Sequence, residues 1–347
     1  MCYKMDVEYL MLFNKKLIHL INEDALPLGL AKGKMGICIY LYSIGRELND
    51  KRIQIAAEEL MDNIYANIYK IDSIDLQSGL KGIGLGISYL VDNNYVCGDL
   101  NVVLSDVDNL IFKKLDQEST KEKIDFLSTI NTLFYYTIRL QKQAPKSDAE
   151  YLYRGIIRQE LSKLFININS TFFNDPLVYS IDYLVPRFLY VLYCIYTCNF
   201  YNNIIEKIIK TILPKVLSVI PISQANRLYL LWGLIKVSKF ISDDNLNKHI
   251  KLLNREIDLG VMLNEEIGDK RVSFSTGLAS IARILVDLNG CIEFEEFNFY
   301  KHTIIDKMKN SSLWEEIIKN DFIFRDKCGL IDGVAGSIMF LNDYNNE

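Results

Sequence analysis

Two kinds of apolar segment alternate along this chain. In the first, apolar positions recur at helical spacing and leave a polar face. In "NNIIEKIIKTILPKVLSVI", Ile204, Ile205, Ile208, Ile209 and Ile212 share one side of a helix. Similar segments occur near 6–22, 51–70, 100–116, 151–166, 244–256 and 298–319. In the second kind the run is apolar nearly all round, as in "ICIYLYSI", "TLFYYTI", "FLYVLYCIYT" and "LYLLWGLIKV". Such a run marks a helix enclosed on every side. Their alternation predicts helical hairpins, each with one half-exposed and one enclosed helix.

The enclosed runs open on a short phrase rich in small residues. Four copies carry glycine: "GLAKGKMGICIYLY" (Gly33, Gly36), "DLQSGLKGIGL" (Gly79, Gly82), "SFSTGLASIARIL" (Gly277, Ser280) and "GLIDGVAGSIMFL" (Gly333, Gly336). Three keep the frame without it: "DFLSTINTLFYYTI" (Thr129, Thr132), "YSIDYLVPRFLYVL" (Tyr183, Pro186) and "ISQANRLYLLWGL" (Asn226, Tyr229). Successive first positions are 46, 50, 54, 43, 51 and 56 residues apart. A near-even period of this length denotes a repeat architecture. Seven hairpins place the enclosed helices in an inner ring and the amphipathic ones outside, as a single all-α domain over 1–347 with no β-domain.

The phrase then marks where each inner helix starts. The residue before the first frame position is Lys32, Ser78, Ser128, Asp182, Ala225, Thr276 or Asp332, and five of these are good N-cap types. Glycine costs about 1 kcal/mol against alanine inside a helix, so its recurrence implies a packing need, read here as close approach of neighbouring inner helices. Pro186 fits a helix start, where proline is tolerated.

Composition narrows the function classes. Half of the 347 residues are apolar and the formal charge is −5, which leaves no basic surplus for a general nucleic-acid binder. The most apolar stretch, Tyr183–Phe200, contains Arg187 and is flanked by Asp182, so no membrane span is expected. The segment after Met1–Asp6 carries Glu8, Lys15 and Lys16 where a signal peptide is apolar. Seven cysteines without close spacing suit reduced thiols, and a cytoplasmic location is expected.

With these phrases the chain resembles the lanthionine synthetase C-like (LanC-like) family from Gly29 to about Tyr344, most strongly in the first, second, sixth and seventh copies. The resemblance implies an α/α toroid (barrel) of seven helical hairpins with a G-x-x-G phrase at each inner helix. It also implies lanthipeptide biosynthesis: a peptide cysteine adds across a dehydrated serine or threonine, held as a thiolate by zinc on two cysteines and a histidine. At the first ligand position this chain has Gln224, and at the other two Ser275 and Thr276. Asp182 matches the place of a further histidine, the family's acid or base. Amide and hydroxyl oxygens are poor zinc ligands, so no cofactor is expected here, although zinc is expected for the family. The implied protein is a pseudoenzyme that binds a precursor peptide or a peptide-modifying enzyme.

Other residues offer rival chemistry. Cys194 and Cys198, at i and i+4 on an inner helix, suit core packing or a rearranged metal site for a lanthionine-forming cyclase. Cys38, Cys291 and Cys328 stand alone, and His19, His249 and His302 fall in outer helices as solvated surface groups. Asp182 and Asp332, with Asp75 and Asp125, are helix caps or the acid/base pair of a carbohydrate-active α/α-barrel enzyme. Lys32, Lys81 and Arg187 lie at the same helix starts, where converging N-termini and these cations would receive a peptide carboxylate or an acidic segment. Tyr40, Tyr42, Tyr89, Tyr135, Tyr136, Tyr193, Tyr196 and Tyr229 are core or the lining of a pocket.

Overall fold

The computed structural model describes residues 7–22, 26–118, 124–291 and 297–343; Met1–Asp6 and Tyr344 lie outside them. Among the described residues the regular structure is helical and no β-strand forms. The expected inner helices are Lys34–Glu47, Leu80–Asp92, Phe126–Gln141, Leu184–Thr197, Gln224–Ser238, Leu278–Leu288 and Ala335–Asp343. The amphipathic partners include Val7–Asn22, Lys51–Asn67, Ser105–Glu118, Asp148–Asn167, Asn202–Val216, Asp244–Glu256 and Phe297–Lys309. None is long and apolar enough to cross a membrane.

The chain divides into two compact units: Met1–Lys121 with Asp269–Ala279 and Ile305–Glu347, and Glu122–Gly268 with Ser280–Ile304. The first holds the junction phrases with glycine and the second holds those without it. In the first, Lys34–Glu47 packs against its hairpin partner Lys51–Asn67 and against Leu80–Asp92 and Ala335–Asp343. Ile37, Ile39, Tyr40, Leu41 and Ile44 are all buried, as the all-round apolar run requires.

The glycines of this unit serve the loop ahead of each inner helix. A Cβ on Gly33 would stand 2.4 Å from the Pro27 carbonyl oxygen, and one on Gly36 2.2 Å from that of Leu30. The loop therefore lies flat on the first helical turn, which only a residue without a side chain permits. Gly79, Gly277 and Gly333 meet the carbonyls of Ser73, Arg271 and Lys327, again six residues earlier. This corrects the reading of the glycines as contacts between neighbouring inner helices. The same loops take over capping. Lys34 N donates to Pro27 O at 2.7 Å, Leu80 N to Ser73 O at 3.0 Å, Leu278 N to Arg271 O at 2.9 Å and Val334 N to Lys327 O at 2.8 Å. Gly33 and Gly79 are the N-caps of their helices, in place of the expected Ser78 side chain and its equivalents.

Successive loops are also stitched to one another. Ser275 N donates to Ile331 O at 3.0 Å, Ile331 N to Ala31 O at 3.1 Å and Ala31 N to Gln77 O at 2.8 Å. All four residues stand two places before a frame glycine, so one backbone bond repeats in register through the sixth, seventh, first and second copies.

In the second unit side chains replace that backbone stitching. Leu184–Thr197 packs against Phe126–Gln141, Asn202–Val216 and Gln224–Ser238. Arg187 donates to Asn131 Oδ1 at 2.6 Å and to Ile181 O at 3.2 Å, and pairs with Asp182 at 2.7 Å. Tyr229 Oη donates to Ile181 O at 3.1 Å. Asn226, fully buried, donates to Asp175 at 3.0 Å and to Pro176 O at 2.7 Å. Gly233 does serve helix approach, since its Cβ would stand 3.0 Å from Pro186 Cα.

Several local expectations change. At the starts of the expected inner helices, side-chain caps are Asp125, accepting from Ser128 N at 3.0 Å, and Ser223, accepting from Asn226 N at 3.2 Å. Asp182 is not a cap, for Tyr183 holds that position with no side-chain bond. His249 is buried rather than solvated, because its amphipathic helix turns it inward beside Leu246 and Leu253. Ile204 is 38% exposed, so the buried stripe of its helix starts at Ile205.

Candidate functional site

In the first unit the loops ahead of Leu278 and of Ala335 meet the Lys32 turn around a pocket of about 230 Å³. Of the residues singled out in the sequence, Lys32, Ser275, Thr276, Asp332 and Gly333 line it together. Lys270, Arg271, Ser273 and Lys327 join them, which the sequence reading missed. A signal for two of these was present: Arg271 and Lys327 each stand six places before a frame glycine. The carbonyl at that place is bound to the helix start, which holds both residues beside the pocket.

Four cationic residues thus share the lining with one acidic residue, Asp332. Outside the lining, Asp326 pairs with Lys327 at 2.8 Å and with Lys32 at 3.2 Å, while Glu316 pairs with Lys270. The hydrogen bond from Lys327, more than the opposing burial, holds the Asp326 carboxyl below its usual range, helped by Lys32. These pairs are exposed and of little worth individually.

The remaining candidates do not gather there. Lys81 is fully buried and is not a rim residue. Gln224 belongs to the second unit, where its Oε1 accepts from Asp258 N at 3.1 Å. The start of its helix is already closed by a carboxylate, since Glu266 accepts from Gln224 N at 2.7 Å and Ala225 N at 3.1 Å. With loop carbonyls or a carboxylate on these first-turn N–H groups, the starts at Lys34, Leu80, Gln224, Leu278 and Ala335 do not offer the open anion sites expected of them. Positive potential comes instead from lysine and arginine side chains.

Elsewhere in the second unit, Trp232 and Lys236 both bind Asp287, with Tyr190 4.6 Å from the indole ring. Burial raises the Asp287 pKa, but the hydrogen bonds from Lys236 and Trp232 outweigh it and leave the group below the usual carboxylate range. Tyr40, Tyr42, Tyr135, Tyr136 and Tyr229 are core, whereas Tyr89 is exposed and Tyr193 and Tyr196 are half-buried. Burial pushes the Cys194 thiol up to about 11 and that of Cys328 up to about 12, so both stay protonated near neutrality. Neither behaves as a ready thiolate.

The places given to zinc ligands by the resemblance do not fit the metal. Gln224 spends its carbonyl on Asp258 N, and the Ser275 hydroxyl lies 3.2 Å from that of Ser273. Neutral amide and hydroxyl oxygens engaged in loop bonds are a poor match for a borderline-soft cation. Among the described residues no group of three His, Cys, Asp or Glu side chains is placed to hold a metal ion.

The chain is all-α, and its likeness to a solved structure gives the fold class as an α/α toroid. The solved structure of nisin cyclase shares this fold, with a TM-score of 0.65 over 95% of this chain and 93% of that one. The two sequences are 15% identical, so the likeness shows the fold alone. No protein-family model and no curated protein matches the chain.

Proposed function

We propose that this chain is a LanC-like protein of lanthipeptide-type modification that binds a precursor peptide or a peptide-modifying enzyme and does not close thioether rings through zinc. One observation carries the reading. The three positions that the resemblance gives to the metal are Gln224, Ser275 and Thr276, in a chain that shares the fold of nisin cyclase. Without the metal, nothing at those positions converts a peptide thiol to the thiolate that attacks.

The rival readings have weaker support. A cyclase site rebuilt on Cys194 and Cys198 would need low-pKa thiols, and burial raises both. A glycoside-cleaving pair would need Asp182 available as an acid, whereas its carboxylate is bound by Arg187.

A model peptide carrying one dehydroalanine and one cysteine tests the proposal. Ring closure by thiol addition is mass-neutral, so it reads as loss of alkylatable thiol. The peptide's thiol is expected to disappear no faster with the protein than without it. Catalysed disappearance would contradict the proposal.

A further inference from the structure

We infer that the pocket bounded by Lys32, Lys270, Arg271 and Lys327 is a carboxylate-binding site that holds one acidic group of a bound peptide. It rests on the peptide-binding reading for its natural ligand, though its test does not. The charge of the walls is the first ground. Four cations and the hydroxyls of Ser273, Ser275 and Thr276 line the space, against the single carboxylate of Asp332. Arg271 supplies a planar fork suited to bidentate carboxylate binding, and the lysines supply mobile point charges.

The second ground is that these cations are exchangeable. Lys32, Lys270 and Lys327 have side chains 49%, 55% and 41% exposed, and their partners Asp326 and Glu316 are 44% and 38% exposed. Exposed pairs contribute little, so an entering carboxylate displaces or shares them at small cost. Asp326 serves two lysines at once, which leaves one of those two charges uncompensated by it.

The third ground is size and rigidity. Sites for whole small ligands run from about 300 Å³ upward. A space of about 230 Å³ therefore suits one side chain or chain end. Its walls are fixed by the backbone bonds Ser275–Ile331 and Ile331–Ala31. Because the helix-start N–H groups are spent on loop carbonyls, recognition falls to the side chains and must be sensitive to their replacement.

Titration calorimetry at low ionic strength with three probes decides the matter: acetyl-triglycine, its C-terminal amide, and acetyl-Gly-Asp-Gly amide. At least one carboxylate-bearing probe is expected to bind tenfold or more tightly than the uncharged amide, and to weaken as salt is added. A preference for acetyl-triglycine identifies a chain terminus as the source; a preference for the aspartyl probe identifies a side chain. Arg271→Gln and, separately, Lys270→Gln are expected to weaken that binding by tenfold and by severalfold, and the exposed Lys270→Gln to leave thermal unfolding unchanged. Equal binding of charged and uncharged probes, no binding of any, or wild-type affinity in both variants overturns the inference. Catalysed ring closure in the dehydroalanine assay would sink the proposed function and leave these results standing.

Discussion

Gly33→Ala is expected to lower folding stability by about 3–5 kcal/mol, a loss at the extreme of single substitutions. The new methyl group would stand 2.4 Å from Pro27 O and 2.6 Å from both Gly29 N and Gly29 O. All three are backbone atoms, so no side chain can rotate away, and the loop must lift off the helix start. Lifting it breaks the bonds Lys34 N to Pro27 O and Met35 N to Leu28 O. Gly155 provides the matched control, for it lies inside the helix Asp148–Asn167 with open space where its Cβ would be. Gly155→Ala should stabilise by about 0.5–1 kcal/mol through helix propensity. Urea unfolding midpoints of the two variants should thus move in opposite directions. Similar small changes in both would mean that the loop does not lie on the helix as described.

Arg187→Met should cost the second unit about 2–4 kcal/mol. The guanidinium side chain is 14% exposed and joins Asp182, the Ile181 carbonyl and Asn131, which belong to two successive copies. Methionine fills similar space but strands the buried Asn131 amide and an anion. The cost stays below that of a fully buried pair because Asp182 is 32% exposed and regains water. Asn131→Ala removes the other end of the same bond, so the double variant should cost less than the sum of the single ones. Strict additivity by denaturant titration would show that the two groups act independently.

Much of the fold was legible because burial is written as periodicity. The all-round apolar runs and the striped ones fall on helices even where the glycines are gone, although the striped segment near 298–319 breaks into Phe297–Lys309 and Leu313–Lys319 and the one near 100–116 into Leu100–Val103 and Ser105–Glu118. The capping chemistry was not legible. A serine or aspartate before a helix looks like a cap, yet at Gly33 and Gly79 the acceptors are carbonyls of the preceding loop, and a carbonyl is present at every residue. Lys81 shows a second limit, since a cation near a helix start reads as rim although here it is buried. Arg187 shows a third, because its Asn131 partner lies 56 residues away and no local pattern links them. Of the candidate pocket, Lys32, Ser275, Thr276 and Asp332 could be found from the repeat frame. Arg271 and Lys327 needed the knowledge that the loop carbonyl six places before the glycine is pinned.

Metal analysis of the purified chain bears most directly on the proposal that a chain with Gln224, Ser275 and Thr276 at the positions the resemblance gives to zinc ligands does not work through zinc. Structural zinc binds with an apparent free energy of about 10–16 kcal/mol in small domains, so a site of that strength survives dialysis. Zinc far below one per chain is the predicted result, unchanged in Cys194→Ala and Cys198→Ala. About one tightly held zinc per chain would contradict it.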